Sequence, residues 1–347
     1  MNHLFIQTAF LGDLLLSIPS LKQIRYWSPQ STITLVCRQG YGSLVKELGV
    51  CDQVIEVDKK NKKDLAQQLQ DTNFDTIFCP HQSMTSHHLV KALKADRKVG
   101  YSRTWNKSYF TNRVNRDLTW PEAMRQLQLV ATVSESVGLK MEAFAQKTDS
   151  IPQWAEMNLS NLSWSEPSLQ KLAEKKARGF KAHEPYICIA PGSVWETKRW
   201  GEQAFVRTGI ELARENYQIL IIGAPDEREL CERVQNGIPN SYSMAGQLTV
   251  LESMMFLSRA QGLICNDSGA MHMASVMHRP TVAVFGPTVQ ELGYKPWNPK
   301  AIVVEEKRLL CRPCGQHGGN FCPIGNHRCM QDIPFQAVVE KALVLFR

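Results

Sequence analysis

Residues 262–287 constrain what this chain can fold into more than any other stretch. Leu263, Ile264 and Cys265 form a short apolar run that suits a strand buried on both faces of a parallel sheet. Asn266, Asp267, Ser268 and Gly269 then turn the chain, and Ser268 or Asp267 fits the N-cap of a following helix. Met271, His272, Ser275 and Val276 lie at helical spacing, Pro280 stops the helix, and residues 281–285 start another buried strand. The stretch therefore predicts a βαβ unit. A glycine among small polar residues at the carboxyl end of a strand exposes backbone N–H groups and a positive helix end, a ready site for phosphate. The same pattern also serves as an ordinary capped turn. His272, one turn into the helix and near its ligand end, favours the binding role.

The rest of the chain repeats this alternation. Residues 3–7 predict a first strand, followed by a helix over 13–26 that Pro19 should kink or restart. Further strands are expected at 33–36, 54–57 and 76–79, with helices near 42–48, 62–69 and 84–93 and a long helix over 122–138. From 139 to 167 the pattern fails and reads as a linker. A second series then has strands at 186–190, 218–222, 263–265 and 281–285, with helices near 203–215, 226–235, 251–259 and 334–346. Strands alternating with helices mean parallel sheets, and 347 residues exceed one ordinary core. The expected architecture is α/β with two doubly wound, Rossmann-like domains facing across a cleft. The first covers 1–165 and the second 166–347, with the last helix packing back toward the first domain.

No apolar run approaches the ~20 residues that cross a bilayer. The N-terminus lacks a basic region before an apolar one, so a cytoplasmic location is expected. Ten cysteines in that compartment favour metal binding or burial over disulfides. The net charge of +7 is concentrated. Between residues 94 and 116 stand Lys94, Arg97, Lys98, Arg103, Lys107, Arg113 and Arg116 against Asp96 alone, with Tyr101, Trp105, Tyr109 and Phe110 interleaved. Such a run is a solvated face, a stacking surface for sugars or bases, or a surface for an anionic acceptor or membrane. No nucleic-acid motif accompanies it.

Four motifs bear chemistry. Gln7-Thr-Ala-Phe-Leu-Gly-Asp13 turns after the first strand and places Asp13 at a helix start, as a cap or as a functional carboxylate. Ala190-Pro-Gly-Ser-Val-Trp-Glu-Thr-Lys-Arg-Trp200 gathers Ser193, Thr197, Lys198 and Arg199 at the end of a strand, the short donors and cations a diphosphate needs. After Gly223, Asp226 or Glu227 is placed to hold ribose hydroxyls. Cys311, Cys314, Cys322 and Cys329, in a loop rich in glycine and proline, are candidates for structural zinc, for free thiols or for a redox-labile pair.

The stretches 266–272 and 280–288, with 8–21 and 190–200, resemble in order the motifs of the family 9 glycosyltransferases, the bacterial lipopolysaccharide heptosyltransferases, with heptosyltransferase II the branch most similar. The resemblance implies a GT-B fold and an inverting transfer of L-glycero-D-manno-heptose from its ADP-activated form to the lipopolysaccharide inner core, with no cofactor required for catalysis. It makes Asp13 the catalytic base and Lys198 the phosphate-binding cation. Ser193, Thr197, Arg199, Glu227, Asp267, Ser268, Gly269 and His272 would bind the donor. Arg97, Arg103 and Lys107 would face the anionic Kdo/heptose-lipid A acceptor, with peripheral contact at the inner membrane. Gln7 stands where many members carry an arginine. The alternatives are a GT-B transferase with another nucleotide-sugar or acceptor, and a non-catalytic nucleotide-sugar or polysaccharide binder. A dehydrogenase ranks low, since neither first strand is followed by Gly-x-Gly-x-x-Gly.

Overall fold

The structure is a computed structural model that describes residues 1–58, 62–138, 141 and 166–347. The chain divides into two compact units, Met1–Met157 and Asn158–Arg347. The expected boundary after residue 165 abuts 142–165, which lie outside the described residues.

The first unit holds a six-stranded sheet of β1 (Asn2–Gln7), β2 (Thr32–Arg38), β3 (Gln53–Val57), β4 (Asn73–Cys79), β5 (Lys94–Tyr101) and β6 (Asn112–Val114). All its pairings are parallel, in the order β3-β2-β1-β4-β5-β6. The second sheet contains β7 (Tyr186–Ala190), β8 (Gln218–Ile221), β9 (Ser241–Ser243), β10 (Gly262–Asn266), β11 (Thr281–Phe285) and β12 (Ala301–Glu305). Its order, β12-β11-β10-β7-β8-β9, is the same winding from the other edge. In each sheet the strand order reverses beside the first strand, between β1 and β4 and between β7 and β10. Ligands of doubly wound folds bind at the carboxyl ends of the strands at that switch point.

The central strands are the apolar runs that the sequence predicts. β7, β10 and β11 are buried throughout. β5, β6, β9 and β12 were not anticipated. The amino half of β5 is polar and largely exposed, β6 and β9 have three residues each, and β12 is a half-buried edge strand. Short or edge strands carry little periodic signal.

Pro19 restarts the first helix: Leu11–Leu15 ends and Ile18–Trp27 begins with Pro19 in its opening turn, where a missing N–H is tolerated. The long helix expected over 122–138 stops at Ala131, capped by Thr132. The helix Glu166–Lys176, which the sequence reading does not predict, starts in the last two residues of the expected linker.

The last helix, Phe335–Leu345, buries one side in the core of the second unit. Val338, Ala342 and Phe346 belong to the core that also holds Ile264, Val282 and Val284. The cause is local. A Cβ on Gly262 would lie 2.2 Å from the Phe346 ring, so the bare glycine at the start of β10 makes room for it. Among the described residues, no helix is long and apolar enough to cross a membrane.

Candidate functional site

The donor-side residues assemble at the switch point of the second sheet. β7 and β10 pair in register, Ala190 opposite Cys265, so the Pro191–Gly192 turn and the Asn266–Asp267 turn leave the sheet side by side. Asn266 ties them together: its Nδ2 donates to Pro191 O (2.8 Å) and Gly192 O (3.2 Å), and its Oδ1 accepts from Trp200 N (3.0 Å). The Trp200 indole is buried and donates to Ile333 O at 3.1 Å. Lys198, on a single 3-10 turn (Glu196–Lys198), is thereby held opposite Asp267.

Lys198 Nζ donates to Asp267 Oδ2 at 2.6 Å, and Thr288 Oγ1 donates to the same oxygen at 2.7 Å. Lys198 is only 9% exposed and Asp267 5%. An ammonium has three N–H donors, and Asp267 takes one of them. Buried pairs of this kind are weak evidence for stability but they fix geometry. Ser268 stands at the N-cap of the helix Gly269–Val276, yet no side-chain cap bond forms, and the Asp267 carboxylate is engaged by Lys198 and Thr288. The first-turn N–H groups at Ser268–Gly269 are therefore not capped by these side chains. His272 is buried, and its Nδ1 has no hydrogen-bond partner. Burial drives its pKa down to about 4, with Asp267 pulling upward and Lys198 reinforcing the drop. At neutral pH it is an uncharged imidazole.

The remaining donor-side candidates divide. Ser193 is buried, but its carbonyl accepts both Nε and Nη2 of Arg199 (3.0 and 2.9 Å), and Arg199 also pairs with Glu196. Arg199 shapes the turn. Thr197 Oγ1 donates to Gly319 O at 2.8 Å, so it too is used internally. The two acids after Gly223 differ in their surroundings. Asp226 is exposed, whereas Glu227 is half-buried over Gly192. Glu227 Oε2 accepts from Ala224 N at 2.8 Å, and burial raises its pKa. A Cβ on Gly192 would stand 2.1 Å from Glu227 Cδ. Gly192→Ala is therefore expected to expel that carboxylate and weaken ADP binding at least about tenfold, measured by calorimetry; unchanged binding would remove Glu227 from the nucleotide site.

In the first unit Asp13 lies in the helix that follows β1, half-buried. Burial raises its pKa to about 7, and the Glu122 carboxylate adds to the rise. Gln7 does not replace a family arginine as a cation. It is buried in a polar network in which its Nε2 donates to Ser17 Oγ (3.2 Å), while Gln126 Nε2 donates to Asp13 O (3.3 Å). The network fixes the backbone that carries Asp13. Positive charge near Asp13 comes from Arg116, and both Arg116 and Arg125 pair with Glu122.

A second cluster at this switch point was not read from the sequence. Thr8 Oγ1 lies 2.9 Å from His81 Nδ1 and 3.2 Å from Ser86 Oγ, and His81 Nδ1 lies 2.9 Å from Ser86 Oγ. No local signal reveals it, because the pairing of β1 with β4 joins residues 73 apart.

The acceptor-side candidates separate. Arg103 sits just past the carboxyl end of β5 and donates from Nε to Gln82 Oε1 at 3.0 Å. Lys107 is exposed in the next turn. Arg97 pairs with Thr76 in mid-strand, well back from the carboxyl rim.

Cys311, Cys314, Cys322 and Cys329 are free, the first exposed and the last buried. Among the described residues no group of three or more His, Cys, Asp or Glu side chains is arranged to hold a metal ion.

Comparisons with known proteins bear on the family and the fold. A model of glycosyltransferase family 9 (heptosyltransferase) matches residues 63–322. Lipooligosaccharide heptosyltransferase 2 of Campylobacter jejuni is 30% identical over 46% of this chain, a match that spans half of that relative's length. Lipopolysaccharide heptosyltransferase 2 of Escherichia coli is 20% identical over 98% of this chain and 97% of its own. The solved structure of Escherichia coli ADP-heptose lps heptosyltransferase II has a TM-score of 0.79 at 19% identity, covering 100% of this chain and 98% of that one. Escherichia coli heptosyltransferase WaaC with ADP has a TM-score of 0.71 at 17% identity over the full length of both. These likenesses show the GT-B fold. With three quarters of its length matched by the family model, the chain belongs to glycosyltransferase family 9, the heptosyltransferases.

Proposed function

We propose that the protein is an inverting glycosyltransferase that moves heptose from ADP-L-glycero-D-manno-heptose to an inner-core acceptor of lipopolysaccharide. The buried Lys198–Asp267–Thr288 set beside an uncapped helix start carries this reading. That combination suits a nucleoside diphosphate leaving group. In the reaction the acceptor hydroxyl attacks the anomeric carbon as the carbon–diphosphate bond breaks. Asp13 takes the hydroxyl proton, and Lys198 meets the charge gathering on the departing phosphate. Arg103 and Lys107 supply positive charge for the acceptor's carboxylates and phosphates, with the enzyme at the cytoplasmic face of the inner membrane. Turnover of ADP-heptose against UDP- and GDP-sugars with a defined core acceptor tests the reading. ADP-heptose is expected to be preferred by at least about a hundredfold. Binding without turnover would leave a binding protein, and preference for another sugar nucleotide would reassign the donor.

The thiols of 311–329 are further proposed to take one structural zinc. Burial raises the Cys329 pKa to about 11, and Cys314, Cys322 and Cys311 each add to the rise, so all three lie within electrostatic reach of Cys329. Four cysteines with one Cys-x-x-Cys pair can hold tetrahedral zinc once their side chains converge, an arrangement that the described residues do not show without the metal. Elemental analysis of protein purified without added metal should find one zinc per chain. Substoichiometric zinc with four freely titrating thiols would end the proposal.

A further inference from the structure

The segment carrying the cysteines is bonded directly to the donor-side turn. Thr197 N donates to Gly319 O at 3.0 Å, and Gly319 N donates back to Thr197 Oγ1 at 2.8 Å. His327 Nε2 lies 2.7 Å from Thr197 O. A carbonyl only accepts, so that nitrogen carries the proton. Gly318, at φ +79°, lets the backbone pass close by: a Cβ there would stand 3.0 Å from Thr197 Oγ1 and 3.4 Å from Lys198 Cγ. The same segment also reaches the other arm of the ion pair. Cys314 N donates to Pro287 O at 2.8 Å, and Arg312 Nη2 donates to Thr288 O at 2.8 Å. Thr288 in turn donates to Asp267.

A three-residue turn cannot fix a lysine on its own. Lys198 N and Arg199 N donate within the turn, to Trp195 O and Glu196 O, which sets its curvature but not its place relative to Asp267. The carbonyl of Thr197, the peptide that leads into Lys198, is held by His327. We infer that His327 is a positioning residue: through Thr197 it holds the Lys198 ammonium where negative charge develops on the leaving diphosphate. The inference rests on the donor reading above. It assigns to the 311–329 segment a role in transfer that its cysteines alone do not suggest. A misplacement of about 1 Å at such a group can cost two orders of magnitude in rate.

The test is a double-mutant cycle of His327→Ala and Lys198→Ala, read by ADP calorimetry and by kcat, with His327→Gln as the conservative variant. A glutamine amide restores the donor to Thr197 O. Alone, His327→Ala should lower kcat about thirtyfold and ADP affinity about tenfold, and His327→Gln should recover both to within about threefold. In the Lys198→Ala background, His327→Ala should add less than about twofold, because the group it positions is gone. Independent, multiplying losses would overturn the inference. So would equal effects of alanine and glutamine that track the melting temperature. If His327→Ala fails to fold, Gly318→Ala, which crowds Thr197 and Lys198 at the same contact, takes its place in the cycle. If the wild type turns over no heptose donor, the reaction reading falls, while the ADP arm still decides the coupling.

Discussion

Asp13→Asn is expected to lower turnover by ~10²–10⁴-fold, the usual worth of a positioned base, while ADP affinity stays within about twofold of wild type. Asparagine keeps the shape and most of the hydrogen bonding and removes only the proton acceptor. Burial and the Glu122 carboxylate raise the pKa of Asp13 to about 7. A carboxylate near 7 is a much better base than one near its ordinary value, and it is ionised in useful amounts at neutral pH. The wild-type rate should therefore climb with pH up to about 7 and flatten above. The same shift has a stability signature of definite sign. A carboxyl whose pKa is raised in the folded protein favours folding below its ordinary value, and that contribution is lost as pH rises to about 7. Asp13→Asn should thus melt higher than wild type above pH 7 and show little gain near pH 4. A mutant that loses stability and ADP binding together would mark Asp13 as a structural cap. Near-normal turnover would place the base elsewhere.

Lys198→Ala should reduce kcat about a hundredfold, ~3 kcal/mol of lost transition-state stabilisation. The ammonium meets more negative charge as the phosphate departs than in the bound donor, so kcat should suffer more than donor KM. The variant also leaves Asp267 buried with only Thr288 on the shared oxygen, and an unpaired buried charge destabilises a fold. The double variant Lys198→Ala/Asp267→Asn separates the two effects: it should recover much of the melting temperature and none of the turnover. If turnover returned with stability, the lysine would be a structural partner of Asp267. A single variant with near-normal kcat and only weaker donor binding would make it a ground-state ligand.

Much of this was legible in the chain, for a physical reason. Strands buried on both faces are continuous apolar runs, so residues 263–265 and 281–285 announced β10 and β11 and the turn between them. Asp267 and Lys198 were each singled out at the end of a strand, and parallel pairing of β7 with β10 brings them to 2.6 Å. Less visible was anything that depends on which strands become neighbours. Thr8 meets His81 only because β1 pairs with β4, and His327 meets Thr197 across 130 residues of chain. Amphipathic period says nothing about such meetings. The basic run 94–116 divides in a way that residue spacing does not show. β5 sets Arg97 in mid-strand and Arg103 past the strand's end.

The chain distances spanned by the donor-side contacts have a consequence for breathing and degradation. Lys198 to Asp267 spans 69 residues and Thr197 to Gly319 spans 122. Any opening that detaches β7, the β10 turn or the 311–329 segment takes the site apart. A nucleotide that binds only the assembled form must then suppress openings throughout the second unit. Saturating ADP should slow amide hydrogen exchange in strands as far from the phosphates as β12 and in the last helix, and should raise resistance to proteases there. The first sheet gives a comparison in the same sample, since none of those contacts lies in it.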